Sequence, residues 1–385
     1  MKELWRQEVE AWVQSNLPPG WTTASDVDPE SARIWYDRLA DKGWSVPTWP
    51  REHGGAGLTA EHGAVVAEVL HRHQADLPAH HFVPIMLIGP AIMAWGTAEQ
   101  QRRYLPGIVN GQDMWCQLFS EPGAGSDLAS LATRATPSES GGWIIEGQKV
   151  WSSFAHLSRY GMLLARTDPE QPKNSGITCF LIDMTSPGIA VRPLRQITGE
   201  EHFSEVFLNQ VELPADAVLG SVNGGWKVAL STLSAERSGL SGDSDAAGVA
   251  LQPVIDTAFA QGAWCDDVLR DRITDLFAID RALTLTNQRL QGVNDAKGSI
   301  TKLVQSELSQ RIAELFFELA GTDGAYWDVD ESDNAAADAL LDSRRLTIAG
   351  GTSEIQRNII GERVLGLDRE PDPYRALPWR QQRRA

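Results

Sequence analysis

FSEPGAGSD (Phe119–Asp127), GQKVWSSFA (Gly147–Ala155) and GGTSEIQRN (Gly350–Asn358) are the stretches on which the reading of this chain turns. The first sets small residues where a backbone has to pass close to a ligand, with main-chain donors that can face a pyrophosphate or the edge of a ring. It is not a dinucleotide fingerprint. Gly123 and Gly125 are followed by Ser126, Asp127 and Leu128, so the third glycine of G-x-G-x-x-G is missing, and the alternative is an ordinary polar loop. In the second stretch Trp151 and Ser153 close a strand-like run, where each alone also reads as a core residue and a turn cap. Any one motif is weak; their order and spacing together carry the signal.

Around these motifs the texture of the chain changes twice. From Met1 to about Asp113 apolar residues recur at helical spacing, as in Val65, Val66, Val69 and Leu70, interrupted by the loop PREHGGAGLT. Short β-rich runs follow, WIIEGQKVW, GITCFLIDM and GIAVRPLR, separated by Gly, Pro, Ser and Asp clusters. After Asn223-Gly224-Gly225 long helical patterns return, including GSITKLVQSELSQRIAELFFELAG. The expected organisation is a helical domain over 1–113, a compact β domain over 114–222 and a four-helix bundle over 223–385 that ends in a basic tail.

With 385 residues the chain can build two or three domains and a large core. No run of about 18 apolar residues occurs and the N-terminus MKELWRQEVEAW is charged, which predicts a cytoplasmic enzyme without a membrane span. A formal charge of −17 argues against a nucleic-acid groove. Cys116, Cys179 and Cys265 lack disulfide or metal-ligand spacing and read as small buried residues. His71 and His73 leave a helix on different sides, His80 and His81 lack a third ligand, and no metal is expected. Of fourteen tryptophans, two fall in GWSVPTWP (Gly43–Pro50), a loop that aromatic packing can fix in place. The tail RALPWRQQRRA, from Arg375, is expected to be solvated and mobile, with contact to an anion or a neighbouring subunit as the alternative.

Taken together the three motifs resemble the acyl-CoA dehydrogenase family, over nearly the whole chain. The resemblance implies an α+β multidomain fold: an N-terminal all-α domain, a middle β-barrel-like domain and a C-terminal four-helix bundle. It also implies FAD as cofactor, with Gln117, Leu118, Phe119, Ser120, Gly125 and Ser126 along the flavin. Trp151 would cover one face of the isoalloxazine and Ser153 would sit near N5, the atom that receives hydride. Thr352 matches a cofactor-contacting threonine, and Glu354 stands where a glutamine is frequent. Ser126 and Arg237 are the expected substrate-binding side chains.

In the family a glutamate removes the pro-R α-proton of an acyl-CoA thioester. In one branch it directly precedes the Gly-Thr of the third motif, a place held here by Gly350. In isovaleryl-CoA and long-chain dehydrogenases it lies on a bundle helix before an arginine, which points to Glu236 and Arg237 of LSAER. The local pattern agrees. Trp226, Ala229, Leu233, Glu236 and Leu240 advance by threes and fours, so Glu236 interrupts an apolar face, where a carboxylate either shifts its pKa or finds a partner. A structural ion pair, for instance with Arg344 or Arg345, is the alternative. Glu200, Glu201 and Glu205 are weaker candidates. Gly350 keeps a role through its backbone N–H, which the resemblance places on the thioester carbonyl.

Two family runs that bind the adenine half of FAD are absent: no Phe is followed by Gly, and LAGTDG (Leu319–Gly324) is the nearest match to the second. These departures resemble bacterial, especially actinobacterial, dehydrogenases that act on steroid side-chain thioesters as heterotetramers. The expected function is FAD-dependent α,β-dehydrogenation to a trans-2,3-enoyl-CoA in a homo- or heterotetramer, with electron-transferring flavoprotein as acceptor. The alternatives are a non-catalytic or cofactor-sharing subunit and an oxygen-using acyl-CoA oxidase.

Overall fold

Tryptophan packing organises the first helices of the computed structural model, which describes residues 2–21, 28–239, 250–290, 298–325 and 334–382, apart from the side chains of 79 and 235–239. The first helices are α1 (Lys2–Asn16), α2 (Pro29–Lys42) and α3 (Ala60–Arg72). Between them Trp12 meets Trp35 and Trp44 at ring distances of 5.6 and 4.7 Å, and Trp35 donates its indole N–H to Ala75 O at 2.9 Å. Val65, Val66, Val69 and Leu70 form the buried face of α3, as their spacing predicts, and Trp44 and Trp49 anchor the Gly43–Pro50 loop in the interior. Two further helices, α4 (Gly89–Trp95) and α5 (Ala98–Val109), lead to the sheet. A capping box of Thr97 and Gln100 starts α5, and Gln100 Nε2 then donates to Asp216 O and Val218 O at 2.8 and 2.9 Å, docking the helix on the β region.

The sheet contains β1 (Trp115–Leu118), β2 (Arg134–Pro137), β3 (Trp143–Ser153), β4 (Tyr160–Arg166), β5 (Ile177–Asp183), β6 (Ile189–Leu194), β7 (Phe203–Leu213) and β8 (Val218–Leu219). Their order is β6-β7-β3-β2-β4-β5-β8, with β1 parallel to β4. Buried alternate residues such as Leu118, Ile145, Leu163, Phe180 and Val206 make one core.

These helices and strands form one compact unit, Met1–Leu194 with His202–Thr232 and Ala376–Ala385. Its last segment corrects the expectation of a solvated tail. Trp379 N–H donates to Gln171 O at 2.8 Å, its ring lies 4.8 Å from the Arg166 guanidinium, and Arg380 pairs with Glu170 at 2.8 Å. A tryptophan and proline inside the basic run give it an apolar, main-chain-bonding segment that a reading by charge alone overlooks. Cys265 is a second correction: Cys116 and Cys179 are buried, whereas Cys265 is exposed.

The other unit, Arg195–Glu201 with Leu233–Arg375, is helical. Helix α6 (Gly225–Gly239) begins in the first unit and ends in this one, followed by α7 (Leu251–Ala260), α8 (Asp267–Leu290), α9 (Gly298–Gly324), α10 (Ala335–Leu346) and α11 (Ser353–Ile359). Leu251, Val254, Ile273, Leu276, Leu308 and Ile312 form its core. Surface pairs Arg272–Glu318 and Arg344–Glu314 join α9 to α8 and α10. No described helix is long and apolar enough to cross a membrane.

The tail contact is measurable. Trp379→Ala removes a cation–π contact and its apolar burial, and should lower unfolding stability by about 1–2 kcal/mol; thermal or urea denaturation indistinguishable from the parent would contradict the packing.

Candidate functional site

Lys149 is the residue around which the first two motifs assemble. It lies on β3 in phase with the buried Ile145 and is 0% exposed. Its Nζ donates to Phe119 O at 3.0 Å and to Glu121 Oε1 at 2.8 Å. Glu121 in turn accepts from the main-chain N–H groups of Ala132 and Thr133 at 2.7 and 2.8 Å. Burial by itself pushes the Glu121 carboxyl up, but the Lys149 charge and these hydrogen bonds outweigh it and hold the group below the ordinary carboxylate range. Burial also pulls the Lys149 ammonium down, against the opposing field of Glu121. Two reciprocal main-chain bonds between Glu121 and Ala124 close the Pro122-Gly123 turn, and Val150 N–H donates to Ser120 O at 3.0 Å, so loop and strand are bonded at successive residues.

Immediately after Lys149 the pairing of β3 with β7 slips, and Trp151 occupies the irregularity with φ 58°. A bulge of this kind re-aims a side chain, and a left-handed conformation is uncommon for a residue with a Cβ. The indole is 61% exposed and meets the ring of Phe203 edge-on, at 6.0 Å. Trp151 is therefore not a core residue. Phe154, three positions on, is also left-handed, at φ 54°, and is held by its N–H to His202 O at 2.7 Å. Such clustered strain marks functional backbone more often than ordinary packing does.

Of the remaining candidates in this unit, Ser126 and Gly125 are exposed and Gln117, Ser120 and Ser153 half-buried. A Cβ added to Gly123 or Gly125 would meet nothing within 4 Å, so the loop borders open space. Leu118 and Phe119 turn into the core, which leaves main chain as what they can offer a ligand. Glu205, one of the weaker base candidates, lies on β7 and accepts from Gln148 Nε2 at 3.0 Å.

The third motif sits in the helical unit. Thr352 caps α11 by accepting from Ile355 N–H at 3.3 Å. Glu354, in the first turn, is held below its ordinary range by its own backbone N–H and by the Thr352 hydroxyl. Gly350 and Gly351 precede the cap with φ 66° and 95°. Glu236 and Arg237 fall on the helical backbone of α6, but their side chains lie outside the described residues. The arginines considered as structural partners have others: Arg344 pairs with Glu314 and Arg345 with Asp342.

Four residues that hold the motifs in place were not singled out from sequence: Glu121, Lys149, Lys302 and Gln356. Lys149 did leave a signal, a charge on the buried phase of an alternating strand. The partners of Glu121 and Lys302 are distant in sequence, and Gln356 bonds to the turn just before its own helix; no periodicity announces any of them.

Residues 1–112 match the acyl-CoA dehydrogenase N-terminal domain, 116–211 the middle domain and 223–365 the C-terminal domain. Acyl-CoA dehydrogenase FadE34 of Mycobacterium tuberculosis is 43% identical over 343 residues, 86% of this chain; the chain spans 46% of that protein's length. Acyl-CoA dehydrogenase IpdE1 of the same organism is 37% identical over 382 residues, covering 96% of this chain and 98% of the relative. Among solved structures, the Tcur3481-Tcur3483 steroid ACAD superposes with a TM-score of 0.80 at 26% identity, over 96% of this chain and 98% of the other.

Lys149→Met strands a buried carboxylate and should cost about 3–5 kcal/mol, whereas Lys149→Met with Glu121→Gln should cost clearly less than the two single changes summed. The sign with pH follows from the lowered folded-state pKa of Glu121. Its contribution is complete above the unfolded value of about 4.3 and disappears as pH falls through the folded one. Glu121→Gln should flatten that acid limb; denaturation profiles that keep the same slope would contradict the assignment.

Proposed function

The chain belongs to the acyl-CoA dehydrogenase family, and from that premise we propose that it desaturates the Cα–Cβ bond of an acyl-CoA thioester with a steroid-derived or similarly bulky acyl group. The product is the trans-2,3-enoyl-CoA. The observation that carries this reading is Trp151, an exposed indole on strained backbone, directly after two strand residues bonded to a glycine loop that borders open space. A flat heteroaromatic ring is the ligand such a platform suits. Hydroxyls of Ser120, Ser126 and Ser153 and the main chain of Gln117, Leu118, Phe119 and Gly125 form a donor set compatible with FAD. When bound, FAD supplies the two-electron acceptor that no side chain provides.

The other roles fall to the protein. Glu236 takes the α-proton onto its carboxylate. That proton is acidic enough to leave only if the developing enolate oxygen meets preformed donors, and the N–H of Gly350 is assigned to it. Thr352 and Glu354 are assigned to the cofactor, Ser126 and Arg237 to substrate. The absence of a side chain at Gly350 makes room for a branched or polycyclic acyl group, and the description of the Tcur3481-Tcur3483 neighbour as a steroid ACAD supports that class. Its two named components support a mixed oligomer, in which a partner chain completes the adenine half of the cofactor site. Electron-transferring flavoprotein is the proposed electron acceptor, and the cytoplasm the proposed location.

Gly350, where a carboxylate stands in part of the family, also favours a second reading, a subunit that builds the site of a related partner. Anaerobic titration of the purified chain with straight-chain and steroid-side-chain acyl-CoA thioesters separates the two. Bleaching of the flavin band by the bulky thioester, slowed about 10²–10⁴-fold in Glu236→Gln, is the expected result. A colourless chain that acts only when co-expressed with a partner supports the second reading, a strong preference for short straight chains removes the steroid class, and peroxide formed under air identifies an oxidase.

A further inference from the structure

The Gly350–Gly351 turn is tied down by two side chains from different helices. Lys302, on α9 and 5% exposed, donates from Nζ to Gly351 O at 2.6 Å. Gln356, on α11 and 0% exposed, donates from Nε2 to Gly350 O at 2.8 Å and to Gly351 O at 3.3 Å. The Oε1 of Gln356 has no partner among the described residues. Both glycines have positive φ, and a Cβ on Gly351 would come within 2.7 Å of Gln356 Nε2. Among the described residues no main-chain carbonyl accepts from the N–H of Gly350 or of Gly351.

A peptide is planar, so holding a carbonyl holds the whole unit it belongs to. With the carbonyls of both glycines bonded, the two peptide planes that follow the Cα atoms of Gly350 and Gly351 are fixed. The plane that carries the Gly350 carbonyl also carries the Gly351 N–H, which is held directly, and the Gly350 N–H is joined to that plane through ψ and φ of Gly350, the latter at 66° in the turn. An ammonium is costly to bury, and here it is placed against a carbonyl of a turn whose glycine amides meet no main-chain acceptor among the described residues.

We propose that Lys302 and Gln356 are positioning residues that preform the Gly350–Gly351 amides as donors for the carbonyl oxygen of an acyl thioester. The inference rests on the reading above that the Gly350 N–H serves that oxygen. Such donors accelerate reaction when they are already in place as charge develops, so loosening them should act on the chemical step more than on binding.

The test uses the holoenzyme and a steroid-side-chain acyl-CoA labelled with ¹³C at the thioester carbonyl. Isotope-edited infrared spectroscopy reads the carbonyl stretch, which moves to lower frequency when strong donors hold the oxygen. In the parent protein that downshift should be present. Lys302→Met should lose most of it and drop kcat about 10²-fold with KM changed less than about threefold, and Lys302→Arg should restore part of both. Gln356→Leu, assayed at a temperature where circular dichroism shows it as fully folded as the parent, should weaken the downshift in the same direction, so the inference does not depend on one variant folding. A downshift that survives intact in Lys302→Met and Gln356→Leu overturns the positioning role while leaving the dehydrogenase reading in place. A parent protein that binds no acyl-CoA thioester overturns that reading and this inference with it.

Discussion

The buried pair of Lys149 and Glu121 is the constraint on which the geometry of the sheet unit's exposed face depends. An ammonium with no exposure is tolerable only because a carboxylate and a main-chain carbonyl meet it within 3.0 Å. A hydrophobic pair of the same volume would fill the space, but it would not specify which residue of the Phe119–Asp127 loop lies opposite which residue of β3. The pair also fixes the origin of the irregularity that follows it. Because Lys149 and Val150 are each bonded to the loop, the slip in pairing with β7 is displaced onto Trp151. The left-handed backbone and the outward indole are consequences of that displacement.

Local pattern carried much of the architecture to the surface of the sequence. The threes and fours of Val65, Val66, Val69 and Leu70 become the buried face of α3, and the GSITKLVQ run becomes α9, because helical burial depends on neighbours a turn away. The change of texture near residue 114 is where β1 begins, since alternation and turn residues are also local. The motif singles out Trp151 as a candidate. Its backbone strain was not readable, because the strain arises beside bonds to a loop thirty residues earlier.

What stayed hidden is what depends on partners far along the chain or on burial that composition misjudges. The tail reads as basic and solvated, yet one tryptophan and a few main-chain bonds hold it to residues 169–172, and neither is a property of charge. Lys302 belongs to a helix that buries Ser299, Thr301, Gln305 and Ser306 with it while Ile300, Leu303 and Val304 are half-buried, so apolar spacing points to the wrong face. Its burial becomes intelligible with Gly351 beside it, from a turn dozens of residues away. Glu121 looks like one more acid in a polar loop until Lys149 and the Ala132 and Thr133 amides surround it. In each case the polar side chain stabilises a main-chain shape and leaves no periodic trace.

The turn at Gly350 bears on where a catalytic carboxylate can sit in this chain. A side chain at φ 66° pushes Cβ toward the following carbonyl, at a cost of about 1–2 kcal/mol, and that carbonyl is already fixed by Gln356. Glycine adopts this conformation without that cost, so the bonds from Gln356 and Lys302 hold the turn against little strain. Under the proposed mechanism the base is Glu236 on α6, and a carboxylate restored at 350 would add strain to the turn that those two side chains hold.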